Sequence, residues 1–425
     1  MKENTVINLK QPGEFEDQLT AILHEGAQEL VLQAVEAEFA SFIDGHAHKR
    51  LENGKRRVVR HGHLPKRKVV TGIGSIPVRV PRSRDRNGQR EADSIRFASQ
   101  ILPRYVRKRK RKSKSIEEMI PYLYLKGISS GDFSEVMPVL LGKDAVGFSA
   151  DTVLRLRQRW KEELKQWNKR RLASRNYVYI WADGVYLQAR MEDDKTCMLV
   201  IIGATPEGKK ELVGFIDGYR ESTQSWSELL LDLKARGLSV PPKLAVGDGA
   251  MGFWSALEKL WPQTRHQRCW VHKTKNILNK MPKSLQKKAK ADIQNIWMAE
   301  SREEAEKAFD LFLEKYKIKY PQAALCMEKD RPELLTFYDF PAEHWKHIRT
   351  TNPIESTFAT VKHRTRPSKG CLSREMAFVM VFKLIKTAEK NWRRLAGGNQ
   401  LPKVVSGVKF TDGCEFTDID DVAAA

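Results

Sequence analysis

Cysteine is scarce in this 425-residue chain and follows no pattern. There are five, Cys197, Cys269, Cys326, Cys371 and Cys414, and no two of them form a CxxC. An odd, scattered set is poor material for a disulfide framework and suits a reducing compartment. Long apolar runs are missing too. The longest clean stretch, Cys197 to Ala204, is less than half of the ~20 residues a membrane-spanning helix needs. The opening segment MKENTVINLK has no apolar run after its lysine, so no signal peptide is expected. Acids are in short supply: 53 Asp+Glu against 75 Lys+Arg leave a net charge of +22. That charge favours a polyanionic partner, nucleic acid ahead of an anionic membrane, while the cysteine usage disfavours a secreted protein or a receptor.

What is present suffices for folded domains. Hydrophobic residues make up 41% of the chain and charged residues 30%, which excludes wholesale disorder. The length suggests two to four domains. The positive charge is concentrated: residues 51–115 hold 21 Lys/Arg against four acids, a net +17. Its densest part is Arg107, Lys108, Arg109, Lys110, Arg111 and Lys112. A solvated linker would have this composition, but so would a surface that tracks phosphates and releases their counterions. Aliphatic alternation between charges over Lys68–Pro81 predicts a small β-hairpin with a glycine turn, its basic side chains facing outward.

Hydrophobic spacing divides the chain further. Residues 1–50 carry one or two amphipathic helices, with Leu19, Ile22, Leu23, Leu30, Val35, Phe39 and Phe42 at helical intervals. Residues 51–114 form the basic β-containing region. Residues 115–175 hold three helix candidates, Ser115–Lys126, Gly131–Leu141 and Ser149–Asn168, with Ser149 as an N-cap. Arg155 and Arg159 on the third suit a helix-turn-helix unit entering a major groove, although any small helical bundle gives the same pattern.

Residues 176–272 change texture. Three strand candidates, Tyr177–Ala182, Val185–Arg190 and Thr196–Ala204, precede another at Glu211–Asp217. A helix (Thr223–Arg236), a strand (Lys243–Gly247), a helix (Ala250–Leu260) and a short strand (Arg265–Cys269) follow. Strands followed by strand–helix alternation predict an α/β fold with a mixed sheet. Residues 273–345 read as an all-helical insertion, and residues 346–400 as the remainder of the α/β unit plus C-terminal helices. The acidic tail 401–425, from Phe410 on, is expected to be disordered.

Two carboxylates stand at matching places, Asp183 and Asp248, each read as ending a buried strand and each followed by glycine. Asp-Gly is also a hairpin turn, and Asp248 also suits a helix cap. Together on one sheet they form a candidate metal pair. Magnesium takes hard oxygen ligands, and a third acid on a nearby helix would complete a two-metal centre. Glu355 fits, although Asn352-Pro353-Ile354-Glu355 reads equally as N-cap, N1 proline and capping-box glutamate. Lys362 and Arg366 lie about two and three turns on along the same side, placed for phosphate contacts. Cys269 and His272 make a lone CxxH. That supplies too few ligands for structural zinc, even with His266 nearby, and leaves support of the carboxylates or a phosphate contact open.

The ordered set Asp183-Gly184, Gly247-Asp248-Gly249, Gln267-Arg268-Cys269-Trp270-Val271-His272-Lys273 and Thr351-Asn352-Pro353-Ile354-Glu355-Ser356 resembles the Mutator-type transposases of bacterial insertion sequences, the IS256 family. The resemblance runs over about residues 50–400 and is strongest from 176 to 370. It implies an RNase H-like domain of DDE type with Asp183, Asp248 and Glu355 holding two Mg²⁺, Mn²⁺ serving as substitute. It also implies double-stranded DNA partners, namely the terminal inverted repeats and a target, and a dimer or higher assembly. Copy-out transposition through a circular intermediate, in the bacterial cytoplasm at the nucleoid, is the activity it suggests. Lys362 matches the basic residue such enzymes often carry seven places after the glutamate.

Overall fold

The structure, a computed structural model, describes residues 18–87, 94–102, 119, 121, 123–124, 128, 150–187, 196–218, 220–249, 251–365 and 374–416. The chain divides into two compact units, Met1–Leu156 and Arg157–Ala425.

In the first unit one long helix, α1 (Gln18–Gly45), precedes four short strands, β1 (Val58–His63), β2 (Arg67–Thr71), β3 (Gly74–Val78) and β4 (Pro81–Asp85). They pair antiparallel as β1 with β4 and β2 with β3, and the predicted hairpin turns at Gly72-Ile73. Val35 of α1 packs with Val69, Ile76, Val78, Val80 and Leu102 into the core of this unit. Phe39 and Phe42 close on Phe97 at 5.0 and 5.3 Å between ring centroids. The first turns of α1 do not join them: Leu19, Ile22, Leu23 and Leu30 are exposed. Helical spacing marked a face, but the strands meet it only from His24, 3.1 Å from the Ser75 carbonyl, and Ala27 onward. From Ile76 along β3 into β4, buried Ile76, Val78, Val80, Pro81 and Ser83 are interleaved with exposed Arg79, Arg82 and Arg84, much as a two-sided pleat requires, and Lys68 of β2 is exposed beside buried Val69. Asp85 is anchored by Arg57 at 2.9 Å. That hydrogen-bonded guanidinium holds its carboxyl far below the usual carboxylate range.

Of the three helix candidates at 115–168, the third is present as α2 (Ala150–Asn168), with Arg155 and Arg159 exposed. The division between the units falls inside it. Ser149 and most of the other two candidates lie outside the described residues, as do Arg107, Lys108, Arg109, Lys110, Arg111, Lys112 and Arg366.

The second unit is built on five strands, β5 (Tyr179–Leu187), β6 (Thr196–Ala204), β7 (Lys210–Gly218), β8 (Leu244–Gly247) and β9 (Arg265–Arg268), in the order β7-β6-β5-β8-β9. The first three are antiparallel neighbours, while β5, β8 and β9 run parallel. The central strands are apolar almost without interruption because both faces are covered. One face packs Ile180, Ala182, Leu199 and Ile201 against Trp226 and Leu229 of α3 (Thr223–Ala235) and Phe253 and Leu257 of α4 (Met251–Leu260). Ser222 caps α3 through its side-chain oxygen.

On the other face, Tyr179 meets His344, whose Nδ1 is 2.8 Å from the phenol oxygen, and the Trp181 indole donates to the His347 carbonyl.

The predicted insertion is helical throughout its described length. It comprises α5 (Trp270–Leu278), α6 (Lys283–Met298), α7 (Arg302–Lys317), α8 (Pro321–Glu328) and two single turns, α9 (Arg331–Leu334) and α10 (Trp345–Ile348). The chain then enters α11 (Asn352–Thr365), α12 (Arg374–Glu389) and α13 (Leu401–Ser406). Phe378 of α12 stacks on Phe215 of β7, ring centroids 4.1 Å apart.

The tail departs from expectation. β10 (Phe410–Thr411) and β11 (Cys414–Glu415) form a hairpin around Asp412-Gly413, both with positive φ. Asp-Gly is a favoured two-residue turn, and Phe410 is buried, which together order a segment that acidity alone marked as loose. Residues 417–425 lie outside the described set.

Candidate active site

Strand register sets the site. The parallel pairing of β5 with β8 ends at Ala182 opposite Gly247, and that of β8 with β9 ends at Gly247 opposite Arg268. The next residue on each strand is Asp183, Asp248 and Cys269. Three neighbouring strands therefore bring these three residues to one level, at the C-terminal edge of the parallel half of the sheet. Asp183 does not terminate its strand, and Asp183-Gly184 is not a turn. Antiparallel pairing with β6 continues through Asp183–Val200 and Gly184–Leu199 to Leu187. What ends at Asp183 is the parallel neighbour, and that opens one side of the strand to ligands.

Asp183 is 9% exposed. Its Oδ1 accepts the N–H of Gly184 at 2.8 Å. Burial first, and then the charge of Asp248, push its carboxyl up to about 7. A third acid, Glu221, was not anticipated. It lies just before α3, and burial followed by the charge of Asp248 raises it to about 6. Two glycines make room for it. A Cβ on Gly184, beside Asp183, would stand 2.4 Å from Glu221 Oε1, and one on Gly252, in the first turn after Asp248, 2.4 Å from the Glu221 carbonyl oxygen. The missed signal was that Gly184, beside Asp183 in β5, and Gly252, four residues beyond Asp248, both mark close approach of another segment.

Glu355 sits in the first turn of α11. Thr351, not Asn352, starts that helix, its carbonyl accepting the N–H groups of Ile354 and Glu355. The Thr351 hydroxyl donates to Glu355 Oε1 at 2.9 Å, which holds the carboxylate in place. Thr351 is fully buried and also joins the CxxH pair. Its backbone N–H and hydroxyl lie 3.3 and 3.2 Å from Cys269 Sγ, and the hydroxyl lies 3.4 Å from His272 Nδ1. His272 Nε2 is 3.5 Å from Glu355 Oε1. The Cys269 hydrogen bond, ahead of the charges of Asp183 and Glu355, drives the imidazole up to about 9 against its burial. Cys269, His272 and Glu355 have ligand atoms within 4.8 Å of one another. His266 takes no part and packs on Trp254. Lys362 is exposed on α11.

The donor set around Asp183 suits a hard divalent cation. Burial and the charge of Asp248 both disfavour the ionised forms of Asp183 and Glu221, a cation in their midst would offset that, and carboxylate oxygens are what magnesium and manganese prefer.

A sequence model of the Mutator transposase family matches residues 2–395. The chain belongs to the Mutator family of transposases. Among curated Mutator-type relatives, the transposase of insertion sequence IST2 from Acidithiobacillus ferrooxidans is 52% identical over 279 residues, 66% of this chain and 94% of that protein. The transposase of IS6120 from Mycolicibacterium smegmatis is 45% identical over 298 residues, 70% of this chain and 92% of the other. That of IS256 in transposon Tn4001 from Staphylococcus aureus is 28% identical over 339 residues, 79% and 81% of the two chains. Among the described residues no helix is long and apolar enough to cross a membrane.

Proposed function

We propose that this Mutator-family chain is the transposase of an insertion sequence, binding the element's terminal inverted repeats and cutting and rejoining DNA at their ends. The observation that carries this reading is the shared level of Asp183 and Asp248, one residue beyond the last parallel pair, with Glu355 held toward His272 by Thr351. The order of three antiparallel strands followed by two parallel ones supports an RNase H-like domain.

Asp183, Asp248 and Glu355 would hold two Mg²⁺, or Mn²⁺ in their place, which supply activation of the attacking oxygen and stabilisation of the leaving one. Thr351 and His272 fix the orientation of Glu355. Exposed Lys362 suits a phosphate, as does Arg366 by its spacing. The outward-facing cations of the hairpin, Arg155 and Arg159, and the Arg107–Lys112 tract supply contacts to the repeats. Joining two element ends calls for a dimer or higher assembly, and the family resemblance favours copy-out through a circular intermediate.

The test is incubation of the full-length protein with its own element ends in Mg²⁺ or Mn²⁺. Cleaved and joined products are expected. Asp183→Asn, Asp248→Asn and Glu355→Gln should each lower cleavage by on the order of a thousandfold while DNA binding persists. Cleavage without joining would make it a structure-specific nuclease, and repeat binding with no cleavage a DNA-binding regulator.

A further inference from the structure

Beside the carboxylates, α5, α6 and the segment entering α11 enclose a cavity of about 520 Å³. That is within the ~300–1,000 Å³ range of small-molecule sites. Its lining includes Lys275, Lys290, Lys346 and Arg349 and no carboxylate. Some cations of the insertion are ion-paired, Lys273 with Asp330, Lys315 with Asp292, Arg331 with Glu306 and Asp310, Arg302 with Asp339, while others such as Lys280, Lys287 and Lys317 stand exposed on its outer surface. Lys275, Lys290 and Lys346 also form no ion pair among the described residues. Positive charge left uncompensated in a concave site is complementary to an anion.

The remaining walls are flat and apolar or carry amides. Trp297 lines the cavity with the Arg349 guanidinium 4.9 Å over its ring, and Leu278, Gln294 and Asn352 complete the surface used here. An indole with a stacked guanidinium is a platform for a planar base, and free lysines beside it suit the attached phosphate.

The cavity also adjoins the chemistry. One side of α5 turns His272 to Glu355, while Val271, Thr274 and Lys275 of the same helix face the cavity. Thr350 and Asn352 on its rim bracket Thr351, the residue that holds Glu355.

We propose that this cavity receives one nucleotide of the DNA substrate, unstacked from the duplex next to the scissile phosphate. The inference rests on the reading of the chain as a DNA-cleaving transposase. A paired base cannot enter a concave site of this size, whereas a single displaced nucleotide brings both the planar group and the anion that the lining suits.

The experiment uses the full-length protein and duplexes of its own element end carrying 5-iododeoxyuridine at successive positions flanking the cut. After irradiation, one or two adjacent positions are expected to cross-link within residues 271–297. Trp297→Leu should lose that cross-link and cleave the paired duplex on the order of ten- to a hundredfold more slowly. An unpaired nucleotide at the cross-linking position should restore most of the rate, because the duplex no longer resists unstacking. Lys290→Ala, an exposed change that leaves the core intact, should show the same pattern in weaker form. Cleavage by the unsubstituted protein with no cross-link in 271–297 would overturn the inference and leave the transposase reading standing. So would equal slowing of Trp297→Leu or Lys290→Ala on paired and unpaired substrates. Failure of the unsubstituted protein to cleave its own ends would overturn both.

Discussion

Asp330→Asn tests how the helical insertion is fastened to the sheet. The Asp330 carboxylate lies 3.1 Å from Arg268 Nη2 and 2.6 Å from Lys273 Nζ, and all three residues are at most 9% exposed. Burial works against the charged form, but the hydrogen bond and charge of Lys273, with Arg268 behind them, hold the carboxyl below its ordinary value. The asparagine has the same shape and no charge, so two buried cations lose their counterion. Breaking a buried pair costs ~3–5 kcal/mol. The amide oxygen still accepts one hydrogen bond, which places the expected loss at the low end, about 3 kcal/mol. For a unit of this size that is a fall of roughly 6–12 °C in Tm. Urea unfolding followed by circular dichroism reads it directly. Adding Lys273→Met to Asp330→Asn should recover part of the loss, because only one cation then lacks a partner. Arg268 Nη1 also donates to the Asp248 carbonyl at 2.7 Å, so cleavage should fall further than stability alone explains, with DNA binding unchanged. A loss below about 1 kcal/mol would refute the reasoning, since it is what a solvated, screened pair gives.

Other substitutions test the remaining contacts. Thr351→Val removes a hydroxyl that serves a carboxylate, and should lower cleavage about tenfold in rate assays, whereas Thr351→Ser keeps the donor and stays close to the unsubstituted protein. Gly252→Ala would drive a Cβ to 2.7 Å from Ser222 C and Thr223 N, backbone atoms that cannot step aside. A loss of about 2–3 kcal/mol in urea unfolding is expected. His347 is held down to about 4, by burial first and then by Lys210 and Lys346, and its Nε2 accepts the Ala396 N–H at 3.1 Å, which the protonated ring cannot do. The unfolded chain takes up this proton near 6.5 and the folded one only near 4. Stability should therefore be full above about pH 6.5 and decline as pH falls toward 4. His347→Gln should flatten that slope in thermal melts across the window.

Much of the second unit is legible from hydrophobic pattern. Thr196–Ala204 needs no correction, and Glu211–Asp217 and Lys243–Gly247 move by one residue at their ends, because runs buried on both faces are apolar whichever neighbour covers them. Tyr177–Ala182 and Val185–Arg190, expected as two strands, are instead one strand running through Asp183-Gly184. The positions of Asp183 and Asp248 were visible as acids after apolar runs. Their common level was not, since register between β5 and β8 depends on a parallel pairing that spans more than 50 residues of chain. Glu221 was invisible for a similar reason: nothing in its own neighbourhood marks it, and only Gly184 and Gly252, remote in sequence, record that something lies close. The capping-box reading of Glu355 failed locally. Thr351 takes the start of the helix, and its hydroxyl is directed to the carboxylate instead of to a backbone N–H. The hairpin at Phe410 shows the converse, an ordered turn hidden by an acidic composition.

A chain that runs through a series of helices between Asp248 and Glu355 needs contacts that tie its return to the sheet it left. Here the return is made by the last strand and the residues just after it. The Gln267 side chain donates to the Leu334 carbonyl and accepts the Phe337 N–H. The Trp270 indole donates to the same Leu334 carbonyl, and its backbone N–H to the carbonyl of Arg349. Arg268 and Lys273 converge on Asp330, and Cys269 accepts the N–H of Thr351, whose hydroxyl lies 3.2 Å from the same sulfur. Every one of these contacts joins residues 267–273 to the returning segment 330–351. The CxxH segment therefore does structurally what a bound zinc would do, tying distant parts of the chain, while its own atoms stay engaged with protein groups. Because Thr351 at the end of that series also holds Glu355, a disturbance anywhere along it reaches Glu355 before it reaches Asp183. Substitutions at 267, 268 or 330 should accordingly impair cleavage in proportion to how far they free Thr351. The order of that impairment across variants, set beside the loss of stability in each, distinguishes a fastened site from a merely destabilised domain.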